Sequence, residues 1–124
     1  MTVTGPDFIA LQVRNLDATA AFYETVVGLT RAPVSPPHAV VFATTPAFAL
    51  RDPLPGVDLD SVAQPGLGVV IWLHDPQAVA LHATIAAAGA TILQEPFEGP
   101  FGDTFTFQDP EGYAITVHSR GSRG

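Results

Sequence analysis

Four histidines, one tryptophan and no cysteine limit the chemistry this chain can host. Without cysteine there is no thiolate metal site, no cysteine nucleophile and no disulfide framework. His38 lies in a Pro-rich stretch, and His74 and His82 flank a predicted helix. They stand eight residues apart, too far for the i, i+4 pair with which a helix offers two imidazoles to a metal. For these three, the spacing favours a plain surface role. His118, at the end of the last apolar run, is the histidine best placed for a ligand contact or for general acid–base work. A rim histidine on a terminal strand is the alternative. The segment "EPFEGPFGD" carries Glu95, Glu98 and Asp103, which either meet a cationic ligand or form a solvated acidic loop. Trp72 either packs in a core or stacks on a flat ligand ring, an interaction worth about 0.5–2 kcal/mol over a cation.

Charge narrows the partners. Twelve Asp and Glu stand against five Arg and no Lys, so no basic face for nucleic acid can be built. Acidity favours cationic or neutral small ligands through the encounter rate, or simply keeps the chain soluble. No stretch reaches the roughly 18–20 apolar residues of a membrane span. The start of the chain has neither the basic opening nor the apolar run of a signal peptide. The expectation is a cytoplasmic protein with no nucleic-acid or membrane partner.

The elements that must position these residues follow from periodicity. Residues 8–13 (FIALQV) read as a strand. Asn15 or Asp17 can cap the helix that follows, whose apolar face holds Ala18, Ala21, Phe22, Val26 and Leu29. Gly28 is its natural stop. Strands are expected at 31–34, 40–43 and 48–50. Residues 52–66, with three prolines and two glycines, lack a period and read as a linker. Residues 67–73 form the next strand. Asp75 then caps a helix with Pro76 at its first position, and Gly89 ends it. Strands follow at 91–94, 104–107 and 113–118. A Pro/Gly loop spans 95–102, and Asp109-Pro110-Glu111-Gly112 makes a turn.

A shift of about sixty residues lays Val13-Arg14-Asn15-Leu16 on Leu73-His74-Asp75-Pro76. The order strand, helix, glycine stop, three strands then recurs. The fold expected is α+β: two tandem modules, at about 6–52 and 67–119, joined by a linker over 53–66, with a frayed tail at 120–124. Each module is an incomplete sheet with one helix on its outer face, and two such sheets side by side curve around a cleft. Pairing within one chain and swapping between chains bury the same surfaces, and the sequence leaves both open.

The stretch "FIALQVRNLDATAAFYETVVGL" and the closing "FGDTFTFQDPEGYAIT" resemble the vicinal-oxygen-chelate superfamily of glyoxalases, extradiol dioxygenases, fosfomycin-resistance enzymes and bleomycin-resistance proteins. The DPEG turn alone is weak; with the helix segment at this separation it is fairly specific. The resemblance spans nearly the whole chain. It implies two βαβββ modules and a homodimer. It also implies metal ligands on the first strand, on the first strand of the second module and on the last strand. Those positions hold Phe8, Gly68 and Thr116. Phenylalanine and glycine side chains offer no lone pair, and a threonine hydroxyl is a poor ligand for a divalent ion. The resemblance therefore points to the metal-free, bleomycin-resistance-like branch, with no cofactor.

Alternation from those three positions gives a lining of Phe8, Ala10 and Gln12, then Gly68, Val70 and Trp72, then Ala114, Thr116 and His118. Phe42, Phe48 and Phe101 are candidates to complete it, each also a candidate for the core. Phe105 and Phe107 are expected to pack against a helix, with Thr104 and Thr106 facing the cleft. The ligand-binding set is thus Phe8, Gln12, Phe42, Phe48, Trp72, Phe101, Thr104, Thr116 and His118, with His118 a weak catalytic candidate. The function expected is sequestration of a hydrophobic or cationic small molecule, as in antibiotic resistance. The alternatives are a metal-independent isomerase or hydrolase, or a lyase or dioxygenase with an atypical metal site.

Overall fold

The first helix opens on a side chain that takes up a free backbone N–H, whereas the second follows a turn closed by Asp75. In the computed structural model, which describes residues 2–121, the chain divides into two units between Ser61 and Val62. The tail expected at 120–124 lies outside the described residues from position 122 onward.

The first unit begins with strand β1 (Phe8–Gln12) and helix α1 (Leu16–Phe22). Oδ1 of Asn15 accepts from Ala18 N at 3.1 Å, satisfying one donor that the helix leaves open. The helix widens into a π-helix over Tyr23–Val27 and stops at Gly28, whose φ of 95° suits glycine. Strands β2 (Ala39–Phe42) and β3 (Ala47–Arg51) complete a sheet of order β1-β3-β2. β3 runs parallel to β1 and antiparallel to β2. Register gathers Ile9, Leu11, Val40, Phe42, Phe48 and Leu50 on one face. Tyr23 is buried with its ring 5.2 Å from that of Phe48 and 6.2 Å from that of Phe42. The expected strand over 31–34 is reduced to one bridge between Arg31 and Phe42. Pro33 brings no N–H to continue the ladder.

The expected linker is largely tied down. Leu54 N donates to Oε1 of Gln12 at 2.7 Å, and Arg14 pairs with Asp60 at 2.7 Å. A 3-10 helix forms over Leu59–Ser61. On the other side of the division, Gln64 Nε2 donates to Gly112 O at 2.9 Å. Segment 52–61 thus belongs to the first unit, and Gln64 is fastened to the second.

The second unit carries the full plan. Strand β4 is Ile71–His74, helix α2 is Ala78–Ala87, and strands β5 (Ile92–Gly99), β6 (Gly102–Gln108) and β7 (Ala114–His118) follow. The sheet order is β4-β7-β6-β5, with β4 parallel to β7. The fold is therefore α+β, with sheets of three and four strands and one α-helix in each unit. The half-repeat is visible in topology, since the first and last strands of each unit pair in parallel.

Three expected boundaries move. Gly68 does not lie on a strand; it sits in a turn at φ 92°, and β4 begins three residues later. Asp75 does not cap the helix directly. Its Oδ1 accepts from Gln77 N at 2.8 Å, closing a turn, and α2 starts at Ala78. The Pro/Gly loop at 95–102 is mostly strand. β5 runs through Pro96 because register shifts between Ile92 and Phe97 take residues out of the regular ladder. Asp109 closes the last turn as expected, its Oδ1 accepting from the N–H groups of Glu111 and Tyr113.

Candidate functional site

The sheet of the second unit has two unlike faces. Phe105, Phe107, Ile115 and Val117 are fully buried on one, where His82 of α2 lays its ring edge-on to Phe105 at 5.2 Å. The expectation that the phenylalanines of this strand pack on a helix while its threonines turn the other way is met. The register pairs Trp72 with Thr116, His74 with His118, Thr104 with His118 and Thr106 with Thr116, so all of these share the opposite face.

An aromatic cluster stands on that opposite face. Trp72 lies 6.0 Å from Phe101 and 5.6 Å from His118, ring centre to ring centre. Phe101 and His118 meet edge to face at 5.9 Å, and His74 adds its ring 5.6 Å from His118. Such spacings fall in the range of favourable aromatic pairs. Trp72 is 51% exposed and Phe101 42%, whereas His118 is 7% exposed. Half-open rings thus stand around a nearly buried imidazole.

The backbone fixes this cluster. Phe101 sits in the turn between β5 and β6, and its carbonyl accepts from Arg120 N at 2.9 Å. Asp103 N donates to Oγ of Ser119 at 2.8 Å, and Ser119 N donates to Asp103 O at 3.0 Å. Gly102, at φ 81°, lets the chain turn here; a Cβ at that position would run into Oγ of Ser119. Residues 119 and 120 therefore clasp the turn that carries Phe101.

His118 has a defined proton arrangement. Its Nδ1 lies 2.8 Å from the Arg120 carbonyl. A carbonyl only accepts, so Nδ1 carries the hydrogen and Nε2 of the neutral ring presents its lone pair. Below His118, the hydroxyls of Thr106 and Thr116 bond to each other at 2.7 Å, and Thr104 Oγ1 donates to Gly102 O at 3.0 Å. Thr104 and Thr116 are thus on the expected face, but both are nearly buried, with their hydroxyls already engaged.

Other expected residues fall elsewhere. Phe42 and Phe48 are not on an open face: they share the helix side with Ile9 and Leu11, and each is at most 5% exposed. One step of alternation separates that side from Phe8 and Ala10, which lie on the exposed side of the first unit's sheet. Gln12 uses its side-chain oxygen to anchor Leu54. The three acids of the expected loop also turn away from the aromatic cluster. Glu98 pairs with Asp103 across the hairpin, one step from Phe97 and Thr104, and Glu95 reaches His82 on α2 at 3.1 Å. The two groups lie close without the alignment of a hydrogen bond, and His82 Nε2 has no hydrogen-bond partner. The reading of His82 as a plain surface residue is corrected accordingly, since it wedges between α2 and the sheet. Phe97 was missed. It is half-exposed, pairs with Thr104 and covers Gly99, and the bulged register that places it there leaves no period-two signal in the sequence.

The three positions where a metal would be held do not fit one. Phe8 has no donor, Gly68 is in a turn, and the Thr116 hydroxyl is committed to Thr106. Among the described residues no group of three or more His, Asp or Glu side chains gathers as a metal site. No described helix is long and apolar enough to cross a membrane.

Residues 5–117 match the Glyoxalase/Bleomycin resistance protein/Dioxygenase superfamily. Comparison with curated proteins finds no match. Among solved structures, the chain is similar to TnmS3, an antibiotic binding protein from Streptomyces sp., with TM-score 0.73, 20% identity, and 98% of this chain and 99% of that one covered. It is similar to a lactoylglutathione lyase from Agrobacterium tumefaciens, with TM-score 0.66, 22% identity and 95% of both chains covered. It is also similar to a glyoxalase-related enzyme from Fulvimarina pelagi, with TM-score 0.74, 19% identity, and 94% and 88% covered. At these identities the likeness carries the fold and no activity.

Proposed function

The chain belongs to the Glyoxalase/Bleomycin resistance protein/Dioxygenase superfamily, and we propose that within it this protein is a metal-independent binder of a flat, hydrophobic small molecule. The observation that carries the reading is the half-open cluster of Trp72 and Phe101 around His118. Small-molecule sites are mostly apolar and aromatic, with a few polar groups that set orientation. The donor-poor positions Phe8, Gly68 and Thr116 support binding without a metal. One solved structure of the same fold is described as an antibiotic binding protein, which supports an antibiotic-type ligand. The mechanism is stoichiometric: ligand bound on this face is removed from solution, and no bond is made or broken. The cationic part of the expectation loses its support, because Glu95, Glu98 and Asp103 do not face the cluster. The reading keeps the expectation of a homodimer, which sedimentation at several concentrations checks.

Trp72 is the single tryptophan, so its emission reports on the site directly. Titration with planar antibiotics, bleomycin included, should change that emission to saturation at a ratio of one ligand per chain. A flat response to every planar compound tried would remove the reading. A second reading, proton transfer without a metal, is favoured by the open lone pair of His118. It requires turnover that His118→Ala abolishes; turnover retained in that variant would rule out His118 as the base.

A further inference from the structure

We infer that the ligand of this face is an aromatic compound carrying an O–H or N–H donor in its ring plane, received by Nε2 of His118. This deepens the binding reading above and rests on it. The Arg120 carbonyl, 2.8 Å from Nδ1, cannot donate, so the ring hydrogen is held there. Among the described residues Nε2 has no hydrogen-bond partner, and it is not sealed from solvent: His82 Nε2 is the buried side-chain atom of the described residues left without one. An imidazole that is 7% exposed, with rings of Trp72, Phe101 and His74 around it, has few other partners to offer that lone pair.

The neighbouring hydroxyls do not compete for it. Thr106 and Thr116 bond to each other, and Thr104 donates to Gly102. His74 cannot supply the proton either: its Nε2 lies 3.2 Å from the Ser119 carbonyl, so that nitrogen carries its own hydrogen toward the backbone. The face therefore offers one acceptor bordered by aromatic surface. A flat ring system against Trp72 and Phe101 meets the aromatic part, and a phenol-type O–H or ring N–H at its edge meets the acceptor. A ligand that presents only an acceptor, such as an ether or carbonyl oxygen, would set two lone pairs against each other and leave Nε2 unpaired on desolvation. His118 is thus a specificity-determining residue for donor-bearing aromatics.

The test uses two ligands of one shape, 6-hydroxyquinoline and 6-methoxyquinoline, which differ in the donor. Binding to the full chain is followed by the indole N–H signal of Trp72 in NMR. The hydroxy compound should bind about tenfold more tightly, the size of one net hydrogen bond. In His118→Phe that preference should vanish, the two compounds binding alike, and the dispersion of the variant's amide NMR spectrum shows that it is folded. Equal binding of the two compounds to the parent protein overturns the inference and leaves the aromatic site standing. Binding of neither, with the Trp72 signal unmoved, overturns both readings. A preference that survives in His118→Phe overturns the role given to His118, and because the ligand pair is compared first on the parent protein, misfolding of the variant does not leave the donor requirement undecided.

Discussion

The two units divide their aromatic residues differently. The first turns Tyr23, Phe42 and Phe48 inward, all at most 5% exposed, and leaves Phe8 alone on the open side of its sheet. The second also buries Phe105 and Phe107 against its helix, but it adds Trp72, Phe97 and Phe101 at 42–51% exposure on the far side of the sheet. Both units have a parallel first-to-last strand pair and one α-helix, so the architecture does not force this difference. Burying an aromatic ring helps folding through lost water contact and close packing. Leaving three large rings half-open gives up part of that gain. Such a patch is a common mark of a binding surface. Stability and recognition are thus drawn from the same residue types, separated by which side of a strand they occupy.

The sharpest way to break the comparison is to truncate one ring from each class. Phe42→Ala should cost about 3–5 kcal/mol by leaving a cavity in a closed core, enough to unfold much of a marginally stable domain. Trp72→Ala should cost about 1–2 kcal/mol, because half of the ring already meets water. Urea unfolding measures both. In ligand titrations the order reverses: Trp72→Ala should abolish binding of a planar aromatic, detected by calorimetry since the emission reporter is gone. A core-like stability loss for Trp72→Ala would make it a packing residue and dissolve the contrast.

How much of this was legible depends on whether the signal was local. The strand–helix order, a cap at Asn15 or Asp17 (Asn15 in the structure), the Gly28 and Gly89 stops and the Asp109 turn each rest on a few adjacent residues, and each is found. The faces of β6 and β7 followed from alternation, which placed Trp72, Thr104, Thr116 and His118 together. For Phe42 and Phe48 the sequence leaves core and pocket both open, because composition marks a residue as large and apolar without marking its side; register with β1 and β3 puts them in the core. The segment 95–102 read as a loop because Pro96, Gly99 and Pro100 are loop formers, whereas a bulged edge strand accommodates Pro96 and Gly99 and the turn takes Pro100. The clasp of Phe101 by Arg120, and with it the proton position on His118, depends on backbone contacts that no periodicity encodes.

That clasp gives the next largest effect. Gly102→Ala places a Cβ at φ 81° and against Oγ of Ser119. The cost should be about 1–3 kcal/mol. Because Ser119 and Arg120 hold the Phe101 turn, the Trp72 emission should shift in the folded variant as well. Ser119→Ala together with Gly102→Ala relieves the clash but not the strained φ, so it should recover part of the stability. Full recovery would mean that the close contact alone matters. Thr116→Val is milder. It removes one partner of the Thr106–Thr116 bond and should cost about 1 kcal/mol. Aromatic binding should persist in it, since neither hydroxyl is free for a ligand.

The smallest effect tests whether the hairpin acids take part in recognition. Glu98 and Asp103 face each other directly across β5 and β6, like charges at a cross-strand position. Such pairs repel, so Asp103→Asn should stabilise the unit by a few tenths of a kcal/mol at low salt. The gain should fade as salt screens the pair. The amide keeps the shape and leaves the backbone bonds of residue 103 to Ser119 in place. Affinity for a neutral aromatic should be unchanged, because these carboxylates lie one alternation step from the face that holds Trp72 and His118. A marked loss of affinity in Asp103→Asn, measured at the same salt, would show that the hairpin turns its acids toward the ligand, and the division between a recognising face and a supporting face would have to be redrawn.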